Sequence, residues 1–356
     1  MLTQLSQRNR LPIGSNLPVW GMVTLGLGAL TINFLFALAF GSVTLPLQDS
    51  IRVLFMPGLE ISQVPPHLRR VYSIIWFIRL PRAVISVFAG AALATSGAAI
   101  QGLFRNPLAS PDVLGISAGS SLGAVLAIVT GVSAIHPLAI SGAAFVGAIT
   151  AAFIVYGISM GPGGTHLLYL VLAGLAVSSF LSGLVSGILV IAEEYALTQF
   201  IFWTMGGLEG ASWLRALPPI PFILVLLVVL ISLAEPLNVL SLGEEQAFSL
   251  GVSVEIVKLV ILTCAATLTA FAVALAGPIA FIGLMVPHGV RLIVGPNHKI
   301  LLPFSALAGS IFLLLADLIA RTILAPGEIK TGIITALIGG PYFLFLILRH
   351  RKEGVL

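Results

Sequence analysis

Between Val113 and Ala192 the chain runs for 80 residues without one Asp, Glu, Lys or Arg. A helix needs about 20 apolar residues to cross the hydrocarbon core of a bilayer, so this run has room for three spans. A water-soluble surface cannot be built from such a chain. Ordinary soluble domains are roughly 25% charged, and this sequence is 8% charged and 58% hydrophobic. In lipid every backbone polar group must be satisfied internally, which leaves helices or a closed barrel. Barrel strands alternate over segments of about ten residues, whereas the apolar runs here are long and unbroken. The chain therefore reads as an all-α, polytopic membrane protein.

Charges and turn residues divide the sequence into further segments of the same size. Spans are expected at 18–40, between Arg82 and Arg105, and at 216–234. Residues 259–290 hold two more, broken at Gly277-Pro278, and the last two lie at 300–320 and 331–348. Turns at Ile135-His136-Pro137 and Gly161–His166 split the long run into three, for ten spans in all. Arg8 and Arg10 precede the first span, but the uncharged stretch from Leu11 to Gln48 far exceeds the h-region of about 7–15 residues of a removable signal. Residues 41–78 and 192–214 are long enough to be structured outside the spans, and Tyr195–Met205 reads as an amphipathic piece along the membrane surface. Small residues recur every fourth position at Ser86, Gly90, Ala94 and Ala98, and again at Gly115, Gly119 and Gly123. That spacing favours close helix packing in lipid over any direct contact with a substrate. Lys and Arg divide nine against eight between the two sides, which leaves the orientation open. The basic tail Arg349–Lys352 favours cytoplasmic termini.

Chemistry is sparse. The single cysteine, Cys264, allows neither an intrachain disulfide nor a cysteine metal site. The six histidines are scattered, so no metal ligand set is expected, and no basic patch with interleaved aromatics points to nucleic acid. Gly115-Ile-Ser117-Ala-Gly119 and Gly119-Ser-Ser121-Leu-Gly123 fit the nucleophile-elbow pattern, yet that motif requires a strand-to-helix turn and these lie in a helical run. No catalytic residue is assigned. No Gly-Lys dipeptide occurs anywhere in the chain, and a phosphate-binding P-loop cannot be built without one. If ATP drives this protein, another chain binds it. The competing class is an ion-coupled secondary transporter, which usually buries carboxylates near the midplane; here Asp and Glu sit at span ends.

Three groups of residues stand out. Arg79-Leu-Pro-Arg82 opens the second span and sets two guanidiniums at the membrane surface, as lipid anchors or as receivers of a partner's carboxylates. Asp317 and Arg321 lie one helical turn apart near the end of the ninth span, spaced for an i,i+4 pair. The segment 235–255 carries Leu-Gly twice, at 242–243 and 250–251, with acidic and apolar residues alternating between them. It describes two very short helices on the side of the termini, whose Leu240, Leu242, Phe248 and Leu250 call for a protein partner.

Beyond these readings, RLPR followed by SGAAIQGLFRNPLASPDVLGISAGSSLG resembles the signature of the FecCD/BtuC permeases, the membrane subunits of type II ABC importers for iron chelates, haem and cobalamin. The likeness continues through LSLGEEQAFSLGV, AGPIAFIGLMVPHGVRL, LLPFSALAGSIFLLLADLIAR and TGIITALIGGPYFLFLILR. It implies a cytoplasmic segment at 1–17, a ten-helix permease domain at 18–349 and a cytoplasmic tail at 350–356, in a bacterial inner membrane. It implies a second permease subunit, identical or paralogous, two copies of an ATP-binding subunit that carry the ATP–Mg, and a periplasmic or lipid-anchored substrate-binding protein. No cofactor is expected on this chain. By position, Arg79, Arg82 and Arg321 would receive glutamates of the binding protein. Leu240, Leu242, Gly243, Glu244, Ala247, Leu250 and Gly251, within a coupling element at 238–255, would seat in the ATPase. Phe104–Pro107 would face the cytoplasm, and the fifth and eighth helices with 192–210 would line the pathway. A siderophore–iron complex is the first expectation for the cargo.

Overall fold

The structure is a computed structural model describing residues 19–161 and 164–352, without the side chains of 347 and 349–352. The expected segment 1–17, with Arg8 and Arg10, falls outside the described residues, as do 353–356 of the expected tail. The helices run α1 Val19–Ala39, α2 Leu47–Leu54, α3 Arg69–Ile74, α4 Leu80–Leu103, α5 Ile116–Val129, α6 Val132–Ile135, α7 Ala139–Ser159, α8 Leu167–Val190 and α9 Glu194–Thr204. They continue with α10 Trp213–Ala216, α11 Pro219–Ser232, α12 Ala234–Leu240, α13 Glu244–Ser249, α14 Val254–Ala276, α15 Ile282–Val294, α16 His298–Ala320 and α17 Thr331–Lys352. A two-residue hairpin, β1 Met160–Gly161 and β2 Gly164–Thr165, turns α7 into α8. Among the described residues seven helical stretches are long and apolar enough to cross a membrane, and three shorter apolar helices (α5, α15 and most of α17) accompany them. These match the ten expected spans one for one. α17 continues to Lys352, past the expected span end.

α4 is the axis of the fold. It is buried on nearly every side, as a helix apolar all round must be, and packs on α16, α14 and α15. The small-residue stripe is what permits this. A Cβ on Gly90 would lie 2.2 Å from the Gly309 carbonyl oxygen, so α4 and α16 touch backbone to backbone. The second stripe does the same for α5 and α7, where a Cβ on Gly119 would meet the Gly147 carbonyl oxygen at 2.3 Å. Without a hydrophobic drive between helices in lipid, such contact is what holds them. Apolar residues such as Leu25, Phe153, Leu168, Leu224 and Val228 point outward instead.

Residues 41–78 form a packed cap over one end of the bundle. Leu45, Val53, Val64, Leu68 and Tyr72 bury themselves against Leu38 of α1 and Leu314 of α16. Tyr72 donates to the Leu59 carbonyl and Trp76 to that of Val53, each at 2.8 Å. Between α3 and α4 the helix widens into a π turn, Ile75–Arg79, that leads directly into Arg79. Such bulges recur at functional sites. α9 buries Ala196 and Phe200 against α5, but its outward face carries Tyr195, Ile201 and Phe202, so the helix is apolar on both sides rather than amphipathic as expected. Its end, however, is tied into the bundle rather than laid on a surface: the Gly207 N–H donates to the Ala276 carbonyl at 2.7 Å and that of Gly332 to Gly206 at 3.0 Å.

Candidate transport and coupling sites

α4 and α16 run antiparallel, so each end of the pair gathers residues distant in sequence. At one end lie Arg79, Arg82 and Arg321, all buried, at 4, 6 and 4% exposure. The expectation of surface guanidiniums at 79 and 82 is corrected here. The cap encloses them, and each is engaged within the chain. A helix leaves its last carbonyls without helical partners, and Arg79 takes up those of α1, donating to Leu38 at 2.7 Å, Ala39 at 2.8 Å and also to Val43. Arg321 donates to the Ala37 carbonyl. Two cations at a helix C-terminus also oppose its negative dipole end. Gly41 makes room: a Cβ there would stand 3.0 Å from one guanidinium and 3.1 Å from the other.

Arg82 faces the carboxylates. Its Nε donates to both oxygens of Asp317 at 3.0 Å, its Nη2 lies 2.9 Å from Oδ1, and its Nη1 reaches Glu328 at 2.8 Å. Thr331 donates to Asp317 at 3.1 Å. The i,i+4 pair expected between Asp317 and Arg321 is present at 3.5 Å, but it is secondary to the bond across α4 and α16. Arg82 and Arg321 thus share the two carboxylates, while Arg79 is held by backbone carbonyls.

The opposite end carries the segment read as two short helices, and it is two short helices. α12 and α13 are separated by Ser241–Gly243, with Gly243 at φ +127°, a conformation that favours glycine. α12 turns Ala234, Leu237 and Leu240 inward at helical spacing, and α13 turns in Ala247. Leu240 at 3% and Ala247 at 0% exposure seat the element on its own core. Gly243 is buried as well. Leu242, Phe248 and Leu250 are 62, 75 and 65% exposed and are the side chains left for a partner, with Gly251 beside them and Glu244 half-buried.

Both short helices are pinned. Asn238 of α12 accepts from the His298 backbone N–H at 2.9 Å and donates to Asn297 at 2.9 Å, and Glu235 pairs with Lys299 at 3.0 Å. This fixes α12 to the start of α16. α13 is held through Lys258 of α14, which is 2% exposed. Its Nζ reaches Glu244 at 2.6 Å, Glu255 at 3.0 Å and the Thr165 carbonyl of the α7–α8 turn at 3.0 Å. Lys258, Asn238 and Glu328 carry no local sign of these roles, because the partners that tie them to other elements are 14 to 246 positions away. For Lys258 the sequence signals only that some role exists: an ionisable residue at the start of an apolar span warrants one of its own.

Between the two ends the helix α14–α15 is broken. Residues 277–281 are irregular, and Phe281 adopts a left-handed φ of +69°, a strain that persists only where the surroundings enforce it. Gly339 of α17 leaves the space for the Phe281 ring. A cavity of about 380 Å³ opens at this break, with Ser110, Asp112, Ser117, Thr204 and Thr269 among its walls. Ser117 donates to Asp112, and Ser121 to the Ser117 carbonyl at 2.8 Å, so both serines of the elbow-like pattern hold the start of α5. His288 packs edge-on to Tyr342.

The profile of the FecCD transport family matches residues 29–349. A cobalamin import system permease protein, BtuC, of Halobacterium salinarum is 45% identical over 283 residues, covering 80% of this chain and 75% of that protein. A hemin transport system permease protein, HmuU, of Yersinia pestis is 44% identical, covering 78% and 84%. The Fe(3+)-citrate import system permease protein YfmD of Bacillus subtilis is 37% identical over 325 residues, 90% of this chain and 93% of that one. A solved chain described as an inward-facing conformation of a metal-chelate type ABC transporter superposes with a TM-score of 0.80 at 32% identity, covering 92% of this chain and 99% of that one. These relatives are transport permeases rather than enzymes, and the matched profile spans the cap, the arginine end and the paired short helices. The chain belongs to the FecCD transport family.

Proposed function

We propose that this chain is the membrane-spanning subunit of an ABC importer for a bulky metal chelate, with ferric siderophore ahead of haem and cobalamin. The observation that supports it most is the coupling end. Two short helices sit firmly on the core through Leu237, Leu240 and Ala247, yet expose Leu242, Phe248 and Leu250. Exposed apolar side chains on a rigid seat suit a protein partner, and ATP–Mg then belongs to that partner, since this chain has no Gly-Lys dipeptide for a P-loop. On this reading two ATP-binding subunits engage α12–α13 of two permease subunits, identical or paralogous, in the inner membrane. The termini and residues 1–17, 104–107 and 350–356 then face the cytoplasm. The pathway follows the cavity at the α14–α15 break, with α8 and the 192–210 segment on its flank.

The arginine end is then the outer rim, where a substrate-binding protein docks. The surplus of three guanidiniums over two carboxylates supports an acidic partner, and Arg79, Arg82 and Arg321 remain the proposed docking residues. Because all three are already bonded, an incoming glutamate must exchange with the α1 carbonyls or Asp317. Docking of this kind steers orientation more than it sets affinity. Reconstitution of the chain with the ATPase that co-purifies with it, followed by ATP-dependent uptake of ferric siderophore, haemin and cobalamin in parallel, tests the reading. Accumulation of one chelate supports it; ATP-independent, ion-gradient-driven uptake contradicts it.

A further inference from the structure

At the coupling end Lys258 joins three separate parts of the chain. Its ammonium touches α13 through Glu244, its own helix through Glu255, and the α7–α8 turn through the Thr165 carbonyl. The turn returns the contact, since the Thr165 N–H donates to Glu255 at 2.7 Å. Gly164 is shaped for it: its φ is +103°, and a Cβ there would fall 2.6 Å from the Glu255 carboxyl carbon. An ammonium at 2% exposure needs partners at every hydrogen, and it has three. The carboxylates are another matter. Their side chains are 44 and 46% exposed, so an acid that parts from the ammonium finds water, whereas the ammonium does not. The bridge is obligatory for the lysine and optional for the acids, which suits a joint that moves with its neighbours.

What the joint holds is also asymmetric. α12 is fixed to α16, whose backbone meets α4 at Gly90 and Gly309. α8, which leaves the α7–α8 turn, by contrast buries only Leu170, Ala173, Gly174 and Val185.

We propose that Lys258 is a positioning residue that carries movement of the ATPase-facing helix α13 to the α7–α8 turn, and through it to α8. This rests on the reading of α12–α13 as the ATPase contact. The turn then travels with α13 on nucleotide binding, while α12 stays with the α4–α16 pair.

The test uses the full permease reconstituted with its co-purifying ATPase, in a Cys264→Ala background, with nitroxide labels placed pairwise. One pair, Ser249 and Met160, spans α13 and the turn; the other, Met160 and Ile293, spans the turn and α15. In the wild type, ATP with vanadate changes the second distance and leaves the first unchanged. In K258M the pattern inverts, uptake falls roughly tenfold, within the usual range of coupling between sites, and ATPase co-purification persists. K258R restores the wild-type pattern. E244A, which removes the half-exposed arm to α13 and is compared at equal ATPase co-purification, gives the same inversion and provides the readout if K258M yields no folded protein. An unchanged first distance in both K258M and E244A overturns the proposal. If neither distance responds to nucleotide in the wild type, the ATPase reading itself is wrong and the proposal falls with it.

Discussion

The two ends of the α4–α16 pair both bury cations, and they do it in opposite ways. At the arginine end the acids are enclosed with the bases: Asp317 is 1% exposed, and three guanidiniums close on it, on Glu328 and on the carbonyls of α1. At the coupling end one ammonium is enclosed and its two acids reach solvent. The first arrangement fixes helices α1, α4 and α16 in one body. The second ties elements that can still shift. Burial alone does not distinguish a clamp from a joint; the exposure of the counter-charges does.

Asp317→Ala should give the largest effect on stability. It strands Arg82 in the interior, and breaking a buried pair by removing one partner costs about 3–5 kcal/mol. Thermal melting in detergent reads this as a large fall in midpoint or loss of folded protein. An unchanged midpoint would show that the arginine end is not a clamp. Gly90→Val comes next. It forces α4 off the Gly309 backbone, an overpacking that costs about 1–3 kcal/mol, visible in the same assay at the centre of the pair. Lys258→Met should cost about 1 kcal/mol or less, because its acids rehydrate, while transport suffers far more than the midpoint. Equal losses of stability at Asp317 and Lys258 would erase the distinction between the ends. The smallest effect is at the rim: Arg321→Lys keeps the charge but loses the planar fork. Association of the binding protein should slow by no more than a few-fold, and the difference from wild type should shrink at high salt, where steering is screened.

Much of this was legible in the residues. The 80-residue uncharged run demands three helices in lipid, and the turns at 135–137, 161–166 and 277–278 fall where the helices break. The four-residue stripes of Gly, Ala and Ser became the backbone contacts at Gly90 and Gly119, because small side chains at that spacing have one use in a bilayer. Leu-Gly at 242–243 and 250–251 marked both ends of α13. Which apolar residues of that element face outward was not legible. Leu240 and Leu242 look alike in sequence, and only the packing of α12 on its own core separates them. The arginines were read as exposed because a guanidinium at a span end usually finds water. Arg79 caps α1 through carbonyls some 40 residues away, Arg321 through one 284 residues away, and Arg82 meets Asp317 across 235, contacts made only once the chain has folded.

The account stands on α12 and α13 meeting a separate ATPase. The direct test is co-purification of that ATPase with the wild-type chain and with the paired variant Leu242→Asp, Leu250→Asp, whose changes lie at exposed positions and leave the buried seat of both helices intact. The account predicts a folded permease that has lost its ATPase and its ATP-dependent uptake. A doubly substituted chain that still carries the ATPase at wild-type yield and transports normally contradicts it.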